Sequence, residues 1–177
     1  MVSPPTERTD LPGSLGAEYA RDDEHRPLAG YAVLSGGFAA AFGAALAASR
    51  RELPERIGAG DLVLAGVATH KLARLIAKDK VTSFVRAPFT RFQRSSGHGE
   101  IEEAARGRGL RLAIGELLVC PYCLAHWIAA AFTLGYVRAP RVTRLLAGVF
   151  TIHAISDTLQ LAYVAAESRS SQNLTAT

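Results

Sequence analysis

The chain has 177 residues, of which 49% are hydrophobic, and 20 Lys and Arg against 16 Asp and Glu give a formal net charge of +4. This length suits one domain, two cysteines exclude a disulfide-rich framework, and no dinucleotide-binding, P-loop or HExxH pattern occurs. A mean hydropathy of +0.13, with the charges confined to short segments between long apolar ones, predicts an all-α integral membrane protein. Arginines beside membrane helices explain the basic balance, so no nucleic-acid partner is expected.

The first predicted elements are a tail and a membrane helix. Residues 1–27 are polar, acidic and rich in proline, which predicts a disordered tail. Leu28–Ala48 is an apolar segment long enough to cross a hydrocarbon core of about 30 Å, and its small residues at spacings of four permit close helix contacts. A cleaved signal peptide is the alternative, but the preceding tail is too long and too acidic for a signal's basic region.

A second helix is predicted over Ala59–Ala77, and it either spans the membrane or lies in the interface. Asp61 lies near its start and His70 near its end. Arg74 and Lys78 are four residues apart and share a face of the last turns. They are expected to reach the lipid headgroups and to complement the negative end of the helix dipole.

Residues 81–92 are predicted to form an amphipathic interfacial helix on an anionic membrane surface, bent at Pro88. The apolar residues at helical spacing are Val81, Phe84, Val85, Pro88, Phe89 and Phe92. The cations expected to face the membrane surface are Lys80, Arg86, Arg91 and Arg94. Alternatively, the same apolar stripe packs on the helix bundle. Residues 95–99 are predicted to be a loop and residues 100–111 a short charged helix.

The apolar residues 112–136 exceed the length of one span. Pro121 is expected to kink this segment or to begin a new helix as its first residue, with Cys120 as the N-cap. A fourth membrane helix is predicted over residues 142–165, followed by a polar, disordered tail over residues 166–177.

The predicted organisation is therefore a helical membrane domain of about four transmembrane helices over residues 28–165. Four spans would place both termini and the basic connection 78–111 on one side of the membrane. That side carries more Lys and Arg than the other, which predicts a multi-pass protein of a bacterial inner membrane with cytoplasmic termini.

Several motifs, in this order, resemble a bacterial family known as domain of unknown function 1360. The resemblance covers residues 61–163 and implies a small multi-helix membrane protein without implying any activity. The motifs are Asp61-Leu62-Val63-Leu64, Ala68-Thr69-His70-Lys71-Leu72-Ala73-Arg74-Leu75-Ile76, Asp79-Lys80-Val81-Thr82, Arg86-Ala87-Pro88-Phe89, Gly115-Glu116-Leu117, Cys120-Pro121-Tyr122-Cys123, Trp127 and Asp157-Thr158-Leu159-Gln160.

The two cysteines permit a redox hypothesis. Cys120-Pro121-Tyr122-Cys123 is also the active-site tetrapeptide of glutaredoxins, but the βαβ pattern of that fold is missing here. A membrane thiol-disulfide oxidoreductase fits better, with Cys120 as nucleophile and Cys123 as resolving thiol. Such enzymes exchange electrons with a second cysteine pair or a partner protein, and this chain has no second pair.

Metal binding is a second hypothesis for the same residues. Cys120, Cys123 and His126 follow one another at spacings of three, and thiolate and imidazole ligands suit zinc or copper. The fourth ligand would be His70, His153 or Glu116. The third hypothesis is that the cysteines simply pack beside the proline kink, since cysteine is a small, soft side chain.

Polar side chains within apolar helices need partners, because burying them unpaired is costly. They are Asp61, His70, Arg74, Glu116, His153, Asp157 and Gln160, and we expect them to pair across the bundle. The sequence thus predicts a membrane module of unknown function that engages lipid or a partner, which would be another membrane protein or a second copy. An enzyme is the less expected outcome, and zinc or copper is the only cofactor suggested.

Overall fold

The computed structural model describes residues 26–175, and the side chains of residues 26–170. Most of the predicted N-terminal tail therefore lies outside the described residues. The fold is mostly helical, as predicted, but it also contains a two-stranded antiparallel sheet, which was not predicted. In chain order the elements are α1 Leu28–Ala48, α2 Ala59–Lys78, α3 Ser83–Arg86, β1 Thr90–Gly97, β2 Glu100–Ala105, α4 Gly109–Val119, α5 Pro121–Arg138 and α6 Pro140–Thr175.

Helix α2 lies antiparallel to α5 and parallel to α6. Near the start of α2, the Tyr136 hydroxyl donates to the Asp61 carbonyl oxygen at 3.2 Å, and Arg144 donates to the Asp61 carboxylate at 2.8 Å. One turn further along, the Thr151 hydroxyl donates to the Leu64 carbonyl oxygen at 3.1 Å. The first turn of α2 therefore meets the end of α5 and the beginning of α6.

Helix α1 lies parallel to α5 and contacts α4 at its N-terminal end. Arg138, at the end of α5, donates to the Ser49 hydroxyl at 2.9 Å. The Phe38 ring contacts the Trp127 ring, with centroids 4.9 Å apart, and the Tyr31 hydroxyl donates to the Glu116 carboxylate. We call the end of the bundle with the sheet and α4 the hairpin end, and the end with residues 49–58 the loop end.

The core is a seam of small residues on α2 against large ones on α5. Every fourth residue of α5 is buried, from Leu124 through Phe132 to Tyr136. This stripe packs on alanines of α2, among them Ala68 and Ala73. Small residues let helices approach closely, which is how helices associate where lipid removes the hydrophobic driving force.

Two helices, α1 and α6, are long and apolar enough to cross a membrane, and the number is three if α4 and α5 count as one bent span. The four predicted spans are therefore not confirmed. Helix α2 lacks the required apolar composition because Lys71, Arg74 and Lys78 follow one another at helical spacing in its second half. The structure nevertheless packs α2 at the centre of the bundle.

The amphipathic helix predicted over residues 81–92 and the charged helix over residues 100–111 are both wrong. Helix α3 has only four residues, and the chain then forms the hairpin β1–β2. Pro88 has no amide hydrogen to extend the helix. His98 and Gly99 connect the paired residues Gly97 and Glu100, and both have positive φ, as a two-residue type I′ turn requires.

The break between α4 and α5 is confirmed. The two helices meet at 84°, Cys120 is the N-cap of α5, and Pro121 is its first residue. Helix α6 extends beyond its predicted end at residue 165, so most of the segment predicted as a disordered tail is helical.

Candidate functional site

Two ion pairs join β2 to the second half of α2. Arg74 donates through Nη2 to both oxygens of the Glu100 carboxylate at 2.6 and 2.7 Å, and Lys78 donates to Glu102 at 2.8 Å. Four helical residues advance about 6.0 Å and two strand residues about 6.6 Å. The two cations therefore match the two carboxylates in spacing. Both cations were expected to reach lipid headgroups, but they hold the hairpin instead.

Arg86 was predicted to face the membrane surface, and that prediction is wrong. Its side chain is 0% exposed and forms an ion pair with Glu103, which is 5% exposed. It also donates to the carbonyl oxygens of Ile76 and Asp79 and to the Thr82 hydroxyl. The Ile76 carbonyl belongs to the last turn of α2, where no helical partner exists. Arg86 thus caps the carboxyl end of α2 and neutralises the Glu103 carboxylate.

The outer surface of this region is apolar and basic. Val81, just before α3, is 75% exposed, and Phe84 and Val85 of α3 are 74% and 43% exposed. We call these three residues the α3 patch. The exposed cations next to it in the chain are Lys80, Arg91 and Arg94. None of these three forms an ion pair with a carboxylate of the described residues.

The carboxylates of β2, by contrast, all form ion pairs. Glu100, Glu102 and Glu103 pair with cations of α2 and α3. The hydrogen bond from Lys78 lowers the pKa of Glu102, against a smaller opposing effect of burial. The hairpin therefore turns its negative charge towards the bundle and leaves the basic side chains outside.

A polar cleft of about 610 Å³ opens at the hairpin end between α2, the hairpin and α6. It gathers three histidines and two ion pairs. The side chains that define it are His70 and Arg74 of α2, His98 and Glu100 of the hairpin, and His153 and Asp157 of α6. Asp157 accepts from Lys71 across the bundle, and its other oxygen lies 3.7 Å from the His153 ring nitrogen Nε2.

An apolar groove of about 360 Å³ continues from the cleft along α2 and α6. His70, Ala154 and Thr158 line both spaces. Beyond them the groove is formed by Gly66, Val67 and Ile155, and a side chain added at Gly66 would meet no atom within 4 Å. A polar space and an apolar space are thus continuous on this face of the bundle.

The cysteine pair lies at the hairpin end, at the start of α5. Cys120 and Cys123 are joined by a disulfide, and Cys120 Sγ accepts from the Cys123 amide at 3.2 Å. The His126 ring does not join them, because it lies against the Phe38 ring, with centroids 4.4 Å apart. No three His, Cys, Asp or Glu side chains in the described part of the chain are placed to hold a metal ion. The structure therefore does not assemble the predicted metal site, and the redox hypothesis gains no support because the chain has no second cysteine pair.

Of the polar residues predicted from the sequence, most line the cleft. These are His70, Arg74, His153, Asp157 and Gln160. Asp61 pairs with Arg144 at the loop end, and Glu116 accepts from Tyr31. Sequence reasoning missed His98 and Glu100, because both depend on the unpredicted hairpin. The alternation of residues 100–103 and the glycines on either side of His98 were the available signals.

A family model described as Protein of unknown function (DUF1360) matches residues 64–163, over half of the chain. The chain belongs to this family. Among curated proteins, this DUF1360 protein is 29% identical to the UPF0713 protein YngL of Bacillus subtilis (strain 168) over 54% of the chain and 72% of the relative. It is 28% identical to the sporulation protein YjcA of the same organism, over 56% of the chain and 86% of that relative. No solved structure matches.

Proposed function

We propose that this DUF1360 protein is a multi-pass membrane module that binds the surface of an anionic bilayer through its α3 patch. The observation that supports the proposal is the occurrence of exposed apolar side chains and exposed cations in one short segment. Phe84 and Val81 are about three-quarters exposed, and Lys80, Arg91 and Arg94, which form no ion pair among the described residues, are exposed near them in the chain. Apolar groups flanked by basic residues suit the headgroup region of an anionic membrane.

The electrostatic and the apolar contributions to membrane binding are comparable in size, so both are needed. Each basic residue near an anionic surface contributes about 1 kcal/mol, and full burial of a large apolar side chain contributes about 1.5–3 kcal/mol. A soluble partner is disfavoured because α1 and α6 are both long and apolar enough to cross a membrane. The surface nearest to the patch is then the bilayer itself.

Orientation follows from the same charges. The hairpin end holds the N-terminal end of α1, the hairpin and the basic connection, so the positive-inside rule places this end in the cytoplasm of a bacterial inner membrane. After reduction, Cys123 should react with a membrane-impermeant maleimide only in permeabilised cells. Labelling in intact cells would refute this orientation, and the double variant Cys120→Ser with Cys123→Ser, which has no thiol, provides the blank.

Fluorescence of a single tryptophan tests the surface contact. Phe84→Trp is introduced into a Trp127→Phe background and the full chain is placed in nanodiscs with brominated lipid. We expect strong quenching and a blue-shifted emission when phosphatidylglycerol is present. Charge reversal by Arg91→Glu with Arg94→Glu should weaken the quenching, since those cations attract the anionic surface.

A matched control is Leu53→Trp at the loop end, where Leu53 is also exposed. Its quenching should not respond to the two arginine substitutions. Water-exposed emission from Phe84→Trp with and without phosphatidylglycerol would refute the proposal. Strong quenching that is indifferent to both lipid charge and the arginines would refute the electrostatic part of it.

A further inference from the structure

We propose that the polar cleft and the apolar groove together bind one phospholipid, with its phosphate among His70, Arg74 and His98 and an acyl chain in the groove. The inference rests on the proposed function only in placing the protein in a membrane. It concerns a face of the bundle formed by α2 and α6, separate from the α3 patch.

The cleft holds donors that no protein group uses. Among residues 26–170, the side chains of His70 and His98 form neither a hydrogen bond nor an ion pair. Arg74 binds Glu100 through Nη2 alone, which leaves Nε and Nη1 without an acceptor, and its side chain is 44% exposed. A guanidinium with free N–H groups beside two imidazoles matches the acceptor oxygens of a phosphate.

Two of the three carboxylates that line the cleft, Glu100 and Asp157, are paired with cations, which reduces their repulsion of an anion. Glu100 is held by Arg74, and Asp157 is held by Lys71 with His153 nearby. Asp79, at the edge of the cleft, accepts from the Val81 amide.

The apolar groove favours a phospholipid over inorganic phosphate as the ligand. It starts at His70, where the cleft ends, and its walls beyond that point are Gly66, Val67 and Ile155. An inorganic phosphate would leave this apolar space unused, whereas the acyl chain of a phospholipid would fill it. Helix α6, which forms one wall, is one of the two helices suited to cross a membrane. A lipid chain is therefore the apolar group at hand.

Gly66→Leu is the sharpest test of the acyl position. A Cβ at Gly66 would meet no atom within 4 Å, and Gly66 lines the groove, so we expect the variant to fold and its side chain to occupy the groove. The full chain is purified in mild detergent, and phospholipid retained per chain is measured by native mass spectrometry. We expect one tightly held phospholipid in the wild type and about tenfold less in Gly66→Leu.

The phosphate position is tested by His70→Ala and Arg74→Gln. Loss of a charge-assisted hydrogen bond should reduce retention by about tenfold or more. Lys78→Gln is the matched control for Arg74→Gln, since it breaks the neighbouring ion pair with Glu102 outside the cleft. Lys78→Gln should retain the lipid. Equal retention in all four variants would show annular lipid only and would overturn the proposal.

Two separate titrations distinguish binding of a phospholipid from binding of free phosphate. Delipidated protein is titrated with inorganic phosphate and, separately, with phosphatidylglycerol in detergent micelles. Phosphate binding that needs His70 but ignores Gly66→Leu, without lipid retention, would overturn the lipid assignment. Failure of the bilayer contact is recognised independently, because it changes the quenching of Phe84→Trp and leaves retained lipid unaffected.

Discussion

Replacing Arg86 with methionine should destabilise the protein more than any other single change of an exposed or buried cation. The substitution leaves Glu103 as a charge that is 5% exposed without its partner, and it removes the donors to the Ile76 and Asp79 carbonyl oxygens. Breaking one side of a buried ion pair costs about 3–5 kcal/mol. For a chain of this length, each kcal/mol lowers the melting temperature by about 2–4 °C, so a decrease of about 10 °C is expected.

The comparison that isolates the charge is the double variant Arg86→Met with Glu103→Leu. It leaves no buried charge, so it should recover part of the stability lost in the single variant, although the end of α2 stays without its donor. Arg86→Lys should not rescue, because one ammonium lacks the planar fork that reaches carboxylate and carbonyls together.

The assay combines thermal unfolding in detergent with hydrogen exchange of residues 79–106. Exchange is needed because the hairpin is able to open without the bundle, which a global melting temperature would miss. Arg86→Met should raise exchange in the hairpin first. Stability and exchange within about 1 kcal/mol of the wild type would refute the reasoning.

Two further predictions concern the hairpin and its contacts. The pKa of Glu102 is lowered mainly by the hydrogen bond from Lys78, so the stability that this pair contributes is complete above the carboxyl's unfolded pKa and disappears as pH falls through the lower folded pKa. Protection factors for hairpin amides should therefore fall in acid, and Glu102→Gln should flatten that response. A Cβ at Gly115 would lie 2.6 Å from the Phe89 carbonyl oxygen, so Gly115→Ala should destabilise by about 1–3 kcal/mol in thermal unfolding. Gly36→Ala, where no atom lies within 4 Å, should not destabilise, and equal effects would refute the packing argument.

The sequence predicted elements well where local composition decides them. Leu28–Ala48 is bounded as expected because an uninterrupted apolar run ends at Ser49 and Arg50. The break at Cys120 and Pro121 was also predicted, because a missing amide hydrogen and an N-cap act within one turn.

The hairpin was missed because its stability comes from residues far along the chain. Val81, Phe84 and Val85 have helical spacing, but only one turn forms before β1 begins. The sequence around Arg86 predicts a surface cation, because its partner Glu103 lies 17 residues later, in β2. The same dependence on distant residues limited the prediction of the polar cleft. The sequence identified its polar residues on α2 and α6 but not those on the hairpin.

The ion pairs along α2 also bear on how the chain folds during synthesis, because the partner carboxylates come later in the sequence. Arg74 and Lys78 find their carboxylates 26 and 24 residues later in the sequence. While the protein is being synthesised, α2 therefore leaves the ribosome with uncompensated cations at its end. Residues 100–102 emerge before α5 and α6, so the carboxylates are available to α2 before the helices that pack against it are made. Nascent chains that stop before Glu100 should keep the second half of α2 accessible to water-soluble labels.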